Sequence, residues 1–253
     1  MKNSFKIPFL ALFIVFGIHL GFAIPKNIDP SLIKNVAPVA PTISATGNAN
    51  YCPQSLANIV TTVTITHDPT ELTTTAVTIQ IASGYVLGED LLAITNPSGT
   101  HPNVTATWNA PEGKLVLSSL FSGGQVLYSE FEAAIKDVVF FSSNPNPTGT
   151  RNFSITLGNG NANYLPRNGH YYEYFPSLGI TWSNAKAAAA TKTFYGLQGY
   201  LATLTAADEA QLAGKQAPGT GWIGGTDEGA EGVWKWVTGP EGQANGGSGT
   251  IFW

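Results

Sequence analysis

The side chains best suited to bind a metal ion form an acidic turn late in the chain, at Asp227, Glu228 and Glu231. Carboxylates in a turn can supply part of the about six to eight oxygen ligands that Ca²⁺ takes. A second set of acidic residues falls in turns in the middle of the chain: Asp68, Glu71, Glu89 and Asp90. This second set has no D-x-D-x-D spacing. We therefore interpret both sets as solvated turns, and we keep calcium binding as the alternative.

Other patterns that carry catalysis or cofactor binding are missing. Residues 219–224 fit G-x-G-x-x-G, but a predicted helix ends before them and a predicted strand follows. A dinucleotide site has the opposite order, with a strand before the glycines and a helix after them. The histidines have no H-x-x-H or H-E-x-x-H spacing: His19, His67, His101 and His170. The sequence therefore predicts no enzymatic activity and no catalytic or cofactor-binding residue.

Two residue types allow more than one interpretation. Cys52 either pairs with another chain or is a small buried residue, and as the only cysteine it excludes an intramolecular disulfide. Four tryptophans could stack on sugar rings, but their positions in core-type motifs favour packing: Trp182, Trp222, Trp234 and Trp236.

The composition excludes some classes of protein. Charged residues make up only 11% of the 253 residues, against roughly 25% in an average globular domain. Apolar residues reach 43%, which is enough for a hydrophobic core and excludes a highly charged disordered chain. No cluster of Lys and Arg is present to neutralise phosphates, so nucleic acid is not an expected partner.

The first residues have the pattern of a secretory signal. Lys2 and Lys6 precede an apolar run over residues 9–22, and small residues end it at Ala23. We expect residues 1–23 to be a signal peptide, with no other membrane contact, and the protein to be secreted or at the cell surface. The alternative is an uncleaved anchor, which His19 within the apolar run disfavours. Residues 24–56, with several prolines, form a linker into the first domain.

The middle of the chain predicts a β-sandwich over residues 57–160. Strand patterns rich in β-branched residues recur at short intervals. They cover residues 59–65, 76–81, 91–94, 103–108, 114–118, 138–142 and 152–157. The fourth and fifth form a hairpin shaped by Pro111 and Gly113. One helix interrupts them, and Ser129 and Glu132 are placed to form its capping box.

This stretch resembles a cadherin-like, immunoglobulin-type repeat of large bacterial surface proteins. The residues that carry the resemblance are 88–92, 94–95, 113–117, 131–135 and 148–155. The resemblance implies a spacer or adhesion module rather than an enzyme. We also expect residues 57–158 to fold without the rest of the chain, because their strands close a core.

After residue 165 the pattern changes to strand, helix, strand, helix and hairpin, over residues 170–175, 182–195, 199–204, 206–216 and 222–236. Thr181 is the expected N-cap of the first helix, and Thr205 and Asp208 begin the second with a capping-box-like pair. Residues 246–249 are expected to form a flexible loop. The order and residues resemble the C-type lectin-like domain, with residues 222–225 at its tryptophan–isoleucine–glycine motif and Trp234 and Trp236 on the strand after it.

The resemblance also implies which binding motifs to look for. Glycan-binding members hold calcium and sugar with a Glu-Pro-Asn or Gln-Pro-Asp triplet and a later Trp-Asn-Asp triplet, and neither is present up to Trp253. We therefore interpret residues 165–253 as an α+β C-type lectin-like domain that is incomplete at its C-terminus. The expected calcium and sugar motifs would lie beyond Trp253, and we expect residues 165–253 alone to be unstable.

The sequence thus predicts a multidomain protein, in which an all-β immunoglobulin-like sandwich precedes a truncated C-type lectin-like domain. Its expected function is adhesin-like recognition of a glycan or a surface protein. A structural surface protein without a ligand is the first alternative. The non-catalytic part of a larger exported enzyme is the second.

Overall fold

The computed structural model describes residues 40–47, 50–95, 99–158, 161–194 and 197–253, and the backbone of Leu10–Phe13 (β1). Short antiparallel strands in several small sheets make up most of the regular structure, and few helices accompany them. These residues are therefore predominantly β. The predicted leader and linker lie largely outside the described residues. No helix within the described ranges has both the length and the apolar character needed to cross a membrane.

The first half is built from strands whose β-branched residues favour extended backbone. They are β2 Thr42–Thr46, β3 Ala57–Asn58, β4 Thr62–Thr66, β5 Thr73–Thr74, β6 Ala76–Ser83, β7 Asp90–Ile94, β8 Val104–Asn109, β9 Lys114–Ser119, β10 Val126–Leu127, β11 Val138–Ser142 and β12 Asn152–Leu157. The predicted strands of this region are confirmed. So is the β8–β9 hairpin, whose turn contains Gly113 at φ +61°.

Two sheets of this half enclose one hydrophobic core. The first has the order β12-β6-β9-β8 and the second the order β3-β11-β7, with β2 paired to β4 beside them. A single helix, α1 Tyr128–Lys136, supplies Phe131 and Ile135 to the core, and both side chains are fully buried. Burial of apolar side chains between two layers is the main stabilising term in such an arrangement.

The predicted capping box of α1 is wrong. The helix begins after Leu127, and no side chain caps its first turn. Glu132 lies inside the helix, and its Oε1 accepts a hydrogen bond from the backbone N–H of Ile65 at 2.5 Å. The carboxylate therefore ties α1 to β4, because this tertiary partner replaces the local one that the S-x-x-E pattern suggested.

Strand β6 is buried on both of its faces. Successive side chains of a strand point to opposite faces, so Val77, Ile79 and Ile81 enter the core of the sandwich. On the opposite face, Gln80 and Ala82 are also buried, and Ala82 packs in a second cluster with residues of the second half. One strand is thus shared between two cores.

The second half has shorter elements. They are β13 Asn163–Leu165, β14 His170–Glu173, α2 Trp182–Ala190, β15 Thr193–Phe194, β16 Leu197–Gln198, β17 Tyr200–Leu201, α3 Ala207–Ala210, a π-helix at Gln211–Lys215, β18 Gly225–Thr226, β19 Lys235–Trp236, α4 Gly239–Gly247 and β20 Thr250–Ile251. The first predicted helix is confirmed over Trp182–Ala190, but it ends there, and Thr193–Phe194 within the predicted range forms β15. Thr181 Oγ1 accepts a hydrogen bond from the N–H of Asn184 at 3.4 Å, as expected of its N-cap.

The C-terminal sheet and the segment before its last strand differ from the prediction. β19 pairs with β18 on one side and with β20 on the other, so the expected hairpin is part of a three-stranded sheet. The loop expected at residues 246–249 follows and partly overlaps α4, which has Pro240 in its first turn, as helices tolerate. The backbone of β1 lies between β14 and β17 in a four-stranded sheet.

The carboxylate that binds the start of the second predicted helix is that of Glu209, not that of Asp208 as expected. Glu209 Oε2 accepts hydrogen bonds from the N–H groups of Thr205 and Ala206, at 2.6 and 2.9 Å. Asp208, the expected partner of Thr205, instead pairs with Arg167. The helix also changes from α to π geometry after Ala210.

Two glutamines join the second half to the sandwich. Gln216 Nε2 donates to the carbonyl oxygens of Ile81 and Glu112, at 3.1 and 2.7 Å, and Gln211 Nε2 donates to that of Tyr85 at 2.9 Å. Leu212 of the π-helix packs in the cluster that includes Ala82. The two halves therefore share an interface in which amides satisfy the backbone carbonyls at the end of β6.

Candidate functional site

The acidic turn suggested as a metal site is held by its own backbone. Asp227 Oδ2 accepts a hydrogen bond from the N–H of Gly232 at 3.3 Å, and the N–H of Glu228 donates to Thr226 Oγ1 at 3.1 Å. Glu228 and Glu231 are exposed. No group of three or more His, Cys, Asp or Glu residues able to hold a metal ion is found within the described ranges. Calcium binding at this turn stays a prediction without a ligand set.

The turn carboxylates of the sandwich have separate partners. Asp68 accepts from Thr70, and these hydrogen bonds lower the pKa of Asp68. Asp90 is buried and pairs with Arg151, with Nε–Oδ2 at 2.8 Å and Nη2–Oδ1 at 3.2 Å. Glu89 accepts from Asn144 at 3.0 Å. The structure thus supports turn capping and ion pairing at these positions.

Packing and hydrogen bonds hold three of the four tryptophans, as their motifs predict. Trp182 Nε1 donates to the carbonyl of Ile223 at 2.9 Å, and Trp222 Nε1 donates to that of Ile180 at 2.7 Å. Trp236 is buried, and its ring stacks on Phe252 with centroids 4.0 Å apart. The indole N–H groups therefore tie α2 to the segment before β18.

The glycine pattern at residues 219–224 also has a packing cause. A Cβ on Gly219 would lie 2.4 Å from the ring of Tyr174, and a Cβ on Gly224 would lie 1.8 Å from Thr238 Oγ1. Only glycine allows such a close approach. The G-x-G-x-x-G match therefore arises from two tight contacts in the second half.

The described histidines, His67, His101 and His170, share no site with one another or with Cys52, and His19 lies outside the described residues. His101 Nε2 lies 3.0 Å from Asp137 Oδ2, His67 stacks on Tyr128, and burial lowers the pKa of His170. Cys52 is exposed, so its interpretation as a small buried residue is wrong.

A buried polar network in the second half was missed by sequence reasoning. The side chain of Glu209 accepts from Asn168 Nδ2 at 2.7 Å and from the Tyr172 hydroxyl at 2.9 Å, besides its bonds to the helix start. Burial raises the pKa of Tyr172 well above its ordinary value. Every donor is a fixed structural group, so this network holds α3 against β14. No local pattern signals it, because Asn168 and Glu209 lie 41 residues apart.

A groove with a volume of about 1040 Å³ lies at the edge of the sandwich, next to the start of the second half. We call it the junction groove. Ligand sites occur preferentially at such domain interfaces. One wall is formed by β2 and β3 together with Asn50, Tyr51 and Pro53, and the other by β12 and the loop before it. Residues 164–167 close one end. β12 is the last strand of its sheet, so its outer backbone edge faces this groove.

The charged groups of the junction groove are already paired. Both arginines of the chain, Arg151 and Arg167, line it, and no Asp, Glu, Lys or His is among its lining residues. Arg151 pairs with Asp90, whose side chain is 0% exposed, and Arg167 contacts Asp208 through Nε and Nη2, at 2.5 and 2.9 Å. Hydrogen bonding to Asp208 raises the pKa of Arg167. Burial would raise the pKa of Asp208, but the hydrogen bonds from Arg167 lower it overall.

Aromatic rings line the junction groove and continue beyond it. The Tyr51 ring is fixed by two hydrogen bonds between its hydroxyl and the backbone of Ser142, at 3.2 and 2.8 Å. Tyr164 lies at the closed end, and its ring contacts Tyr171 with centroids 4.7 Å apart. Tyr171 in turn contacts Phe194 at 5.1 Å. We call the last three rings, which are partly exposed, the aromatic row.

Comparisons with known proteins give one similarity. The chain is 32% identical to a segment of Halomucin from Haloquadratum walsbyi over 234 residues, which is 90% of this chain. The chain spans only about 2% of the length of Halomucin. No protein-family model matches the chain. No solved structure matches it either.

Proposed function

We propose that this chain is a binding module of a secreted or cell-surface protein, and that it recognises a carbohydrate or protein ligand without chemical change. The similarity to Halomucin supports the location, since mucins are secreted or surface proteins. The signal pattern of residues 1–23 is a second support from the sequence, although the structure pairs Leu10–Phe13 within it with β14 and β17. The observation that carries the binding role is the junction groove.

The lining of the junction groove is suited to binding rather than to catalysis. It combines aromatic rings with asparagine, threonine and serine side chains, and its two guanidinium groups are already held by carboxylates. General acid–base chemistry needs a group that can gain and lose a proton near neutral pH. Among the described lining residues no carboxylate, histidine or cysteine offers this, so recognition fits the groove better than turnover does.

The proposal includes the nature of the two halves. The sandwich of residues 57–160 is proposed to be a cadherin-like, immunoglobulin-type spacer, supported by its two facing sheets and single core. Residues 165–253 are proposed to be a C-type lectin-like domain. The succession of β14, α2, β17 and α3 before the tryptophan-rich sheet supports this assignment.

A binding assay on the full chain tests the proposed function. The purified protein would be applied to an array of neutral and anionic glycans and to a panel of surface glycoproteins, each also in deglycosylated form. Saturable binding to a glycan or to a protein is the expected result. Absence of saturable binding to either class would overturn the proposal in favour of a structural surface protein. Cleavage of an arrayed glycan would overturn it in favour of an exported enzyme.

A further inference from the structure

We infer that Asn103 is a site of N-linked glycosylation, and that the attached glycan covers the neighbouring edge of the sandwich. The inference goes beyond the proposed function and rests only on its surface location, because this modification occurs on exported proteins. Three observations carry it: an acceptor pattern in an exposed turn, a carboxylate that orients the acceptor amide, and exposed apolar side chains beside it.

The acceptor pattern for this modification is Asn-x-Ser/Thr, with x other than proline. The sequence contains it at Asn103 with Thr105, and again at Asn152 with Ser154. The sheet order β12-β6-β9-β8 places the first at the start of one outer strand and the second in the other outer strand. A match to so short a pattern is common by chance, so the surroundings of each asparagine decide which one can be modified.

Asn103 lies in an exposed turn that leads into β8. The N–H of Val104 closes this turn on the carbonyl of His101 at 3.1 Å, and Pro102 occupies the turn position that proline favours. Val104 is buried in the core, so Asn103 and Thr105, on either side of it, point to the outer face of the sheet. Asn103 is exposed and Thr105 is partly exposed. The amide and the hydroxyl of the acceptor pattern are therefore presented on one accessible surface.

Glu130, in the first turn of α1, holds the acceptor amide in position. Its Oε1 accepts a hydrogen bond from the backbone N–H of Asn103 at 2.6 Å, and its Oε2 accepts one from Asn103 Nδ2 at 3.1 Å. An amide nitrogen carries two N–H donors, so glycosylation replaces one of them and leaves the other to donate to Glu130. The modified side chain keeps its partner, and the glycan leaves the turn in a defined direction.

Two large apolar side chains beside Asn103 are exposed to solvent. Leu120 is 59% exposed and Phe121 is 66% exposed. The N–H of Leu120 donates to the carbonyl of Asn103 at 2.8 Å, and Val104 pairs with Ser119 in the ladder between β8 and β9. Leu120 therefore lies across from Asn103, within reach of the first sugars of a glycan. Such a glycan covers the two side chains and the edge of β8, the last strand of its sheet, both of which favour aggregation when they are left open.

The second acceptor pattern lacks this access. Ser154 is buried in β12, so its hydroxyl cannot be reached in the folded chain. Asn152 lines the junction groove, and its Nδ2 donates to Ser83 Oγ at 2.6 Å. We therefore expect Asn103 to be modified and Asn152 to be unmodified, which makes the second pattern an internal control.

The reaction transfers an oligosaccharide from a lipid-linked donor to the side-chain amide. A bond forms between Asn103 Nδ2 and the anomeric carbon of the first sugar, while the bond from that carbon to the phosphate oxygen of the lipid breaks. The lipid phosphate leaves with the electron pair, and the displaced proton of Nδ2 passes to a base of the transferring enzyme. No oxidant or reductant takes part.

Glycopeptide mass spectrometry tests the inference on the full chain, as it is secreted by the cells that naturally produce it. We expect a glycan on the peptide that contains Asn103 and none on the peptide that contains Asn152. An unmodified Asn103 would overturn the inference. Equal modification of both asparagines would also overturn it, since the folded surroundings would then not select the acceptor.

Variants secreted by the same cells test the acceptor by a second route. Asn103→Gln and Thr105→Ala should each lower the intact mass by one whole glycan, whereas Thr105→Ser, which keeps the pattern, should retain the glycan. Thr107→Ala is the matched control, because Thr107 is exposed on the same strand but outside the pattern. Loss of the glycan in Thr107→Ala, or its retention in Thr105→Ala, would contradict the assignment to Asn103.

Removal of the glycan from the folded wild-type chain tests its covering role without any substitution. The exposure of Leu120 and Phe121 should then raise the binding of a fluorescent dye for apolar surfaces, and Phe121→Ser should reduce that rise. Unchanged dye binding after removal of the glycan would contradict the covering role.

Ligand binding by the junction groove is measured independently of this modification. Asn103 lies at β8, and the groove lies at β12, the opposite edge of the same sheet. Removal of the glycan should therefore leave the binding of an arrayed ligand unchanged. An unmodified Asn103 would overturn the inference and leave the proposed function intact, whereas a modified Asn103 in a chain that binds no ligand would overturn the proposed function alone.

Discussion

Each half of the molecule is stabilised internally by a different kind of contact. The sandwich has one large apolar cluster, with α1 and both of its sheets around it. The second half has two small apolar clusters and, between them, a buried carboxylate that gathers donors from three segments. Apolar burial is non-directional, whereas a buried charge is stable only with its full set of hydrogen bonds. Away from its buried Asp90–Arg151 pair, the sandwich should therefore tolerate polar changes that the second half does not.

The largest expected effect lies in the core of the sandwich. Phe131→Ala removes a fully buried ring and should lower the free energy of unfolding by about 4 kcal/mol. Leu127→Ala, one turn away at an exposed position, should change it by less than about 0.5 kcal/mol. Denaturant titration followed by far-ultraviolet circular dichroism measures both. Similar values for the two variants would show that the cluster does not dominate the stability of this half.

The second half should respond most to loss of its buried charge. Glu209→Gln keeps the shape but places an amide N–H₂ against groups that themselves donate, and it should cost about 3 kcal/mol. Glu228→Gln makes the same change of charge on an exposed turn and serves as the control. Tryptophan fluorescence reports this, since the described tryptophans other than Trp108 lie after residue 180. If Glu209→Gln unfolds at the wild-type midpoint, the buried polar network does not dominate the stability of this half.

The interface between the halves carries an intermediate effect. Gln216→Ala leaves the carbonyl groups of Ile81 and Glu112 without one of their donors, and it should cost about 2 kcal/mol. We expect the tryptophan signal and the circular dichroism signal to separate into two transitions in this variant. Coincident transitions would mean that Gln216 does not couple the halves. The expectation that residues 57–158 fold alone is tested by the same titration on that segment.

Acidification should produce the smallest difference between the halves. Burial lowers the pKa of His170 below that of the unfolded chain, so the unfolded state binds more protons as pH falls through about 6.5. His170 therefore favours folding above that pH and opposes it progressively below. We expect the midpoint of the tryptophan transition to fall between about pH 7 and pH 5, and His170→Gln to reduce this slope. The same slope in His170→Gln would assign the effect to another group.

Prediction from sequence succeeded where local chemistry decides the structure. The β-branched run at residues 76–81 and the alanines after Trp182 specify a strand and a helix through backbone preference alone. It failed where distant groups compete with local ones. Glu132 has the spacing of a capping box, but the N–H of Ile65 takes its carboxylate. The loop expected at residues 246–249 begins inside the last turn of α4, where Ala244, Asn245 and Gly246 already have non-helical backbone angles.

The candidate site could not be found from sequence for the same reason. Arg151 and Arg167 are separated from each other by two strands and from their carboxylates by tens of residues, so nothing local shows that they share a groove. The acidic turn at Asp227 was conspicuous because its residues are neighbours in the chain. In the structure, the hydrogen bonds made by Asp227 and Glu228 lie within their own turn and stabilise it.

The double burial of β6 determines how the molecule exchanges its amide hydrogens. Strand β6 has β12 on one side and β9 on the other, and both of its faces are buried, one by the core of the sandwich and the other around Thr78, Gln80 and Ala82. Solvent can reach its N–H groups only when the strand is uncovered and its neighbours separate, so these amides should be the slowest to exchange with deuterium. Each half thereby protects the other at this strand. A peptide covering Ala76–Ser83 would report the stability of the whole assembly in a single mass-spectrometric measurement.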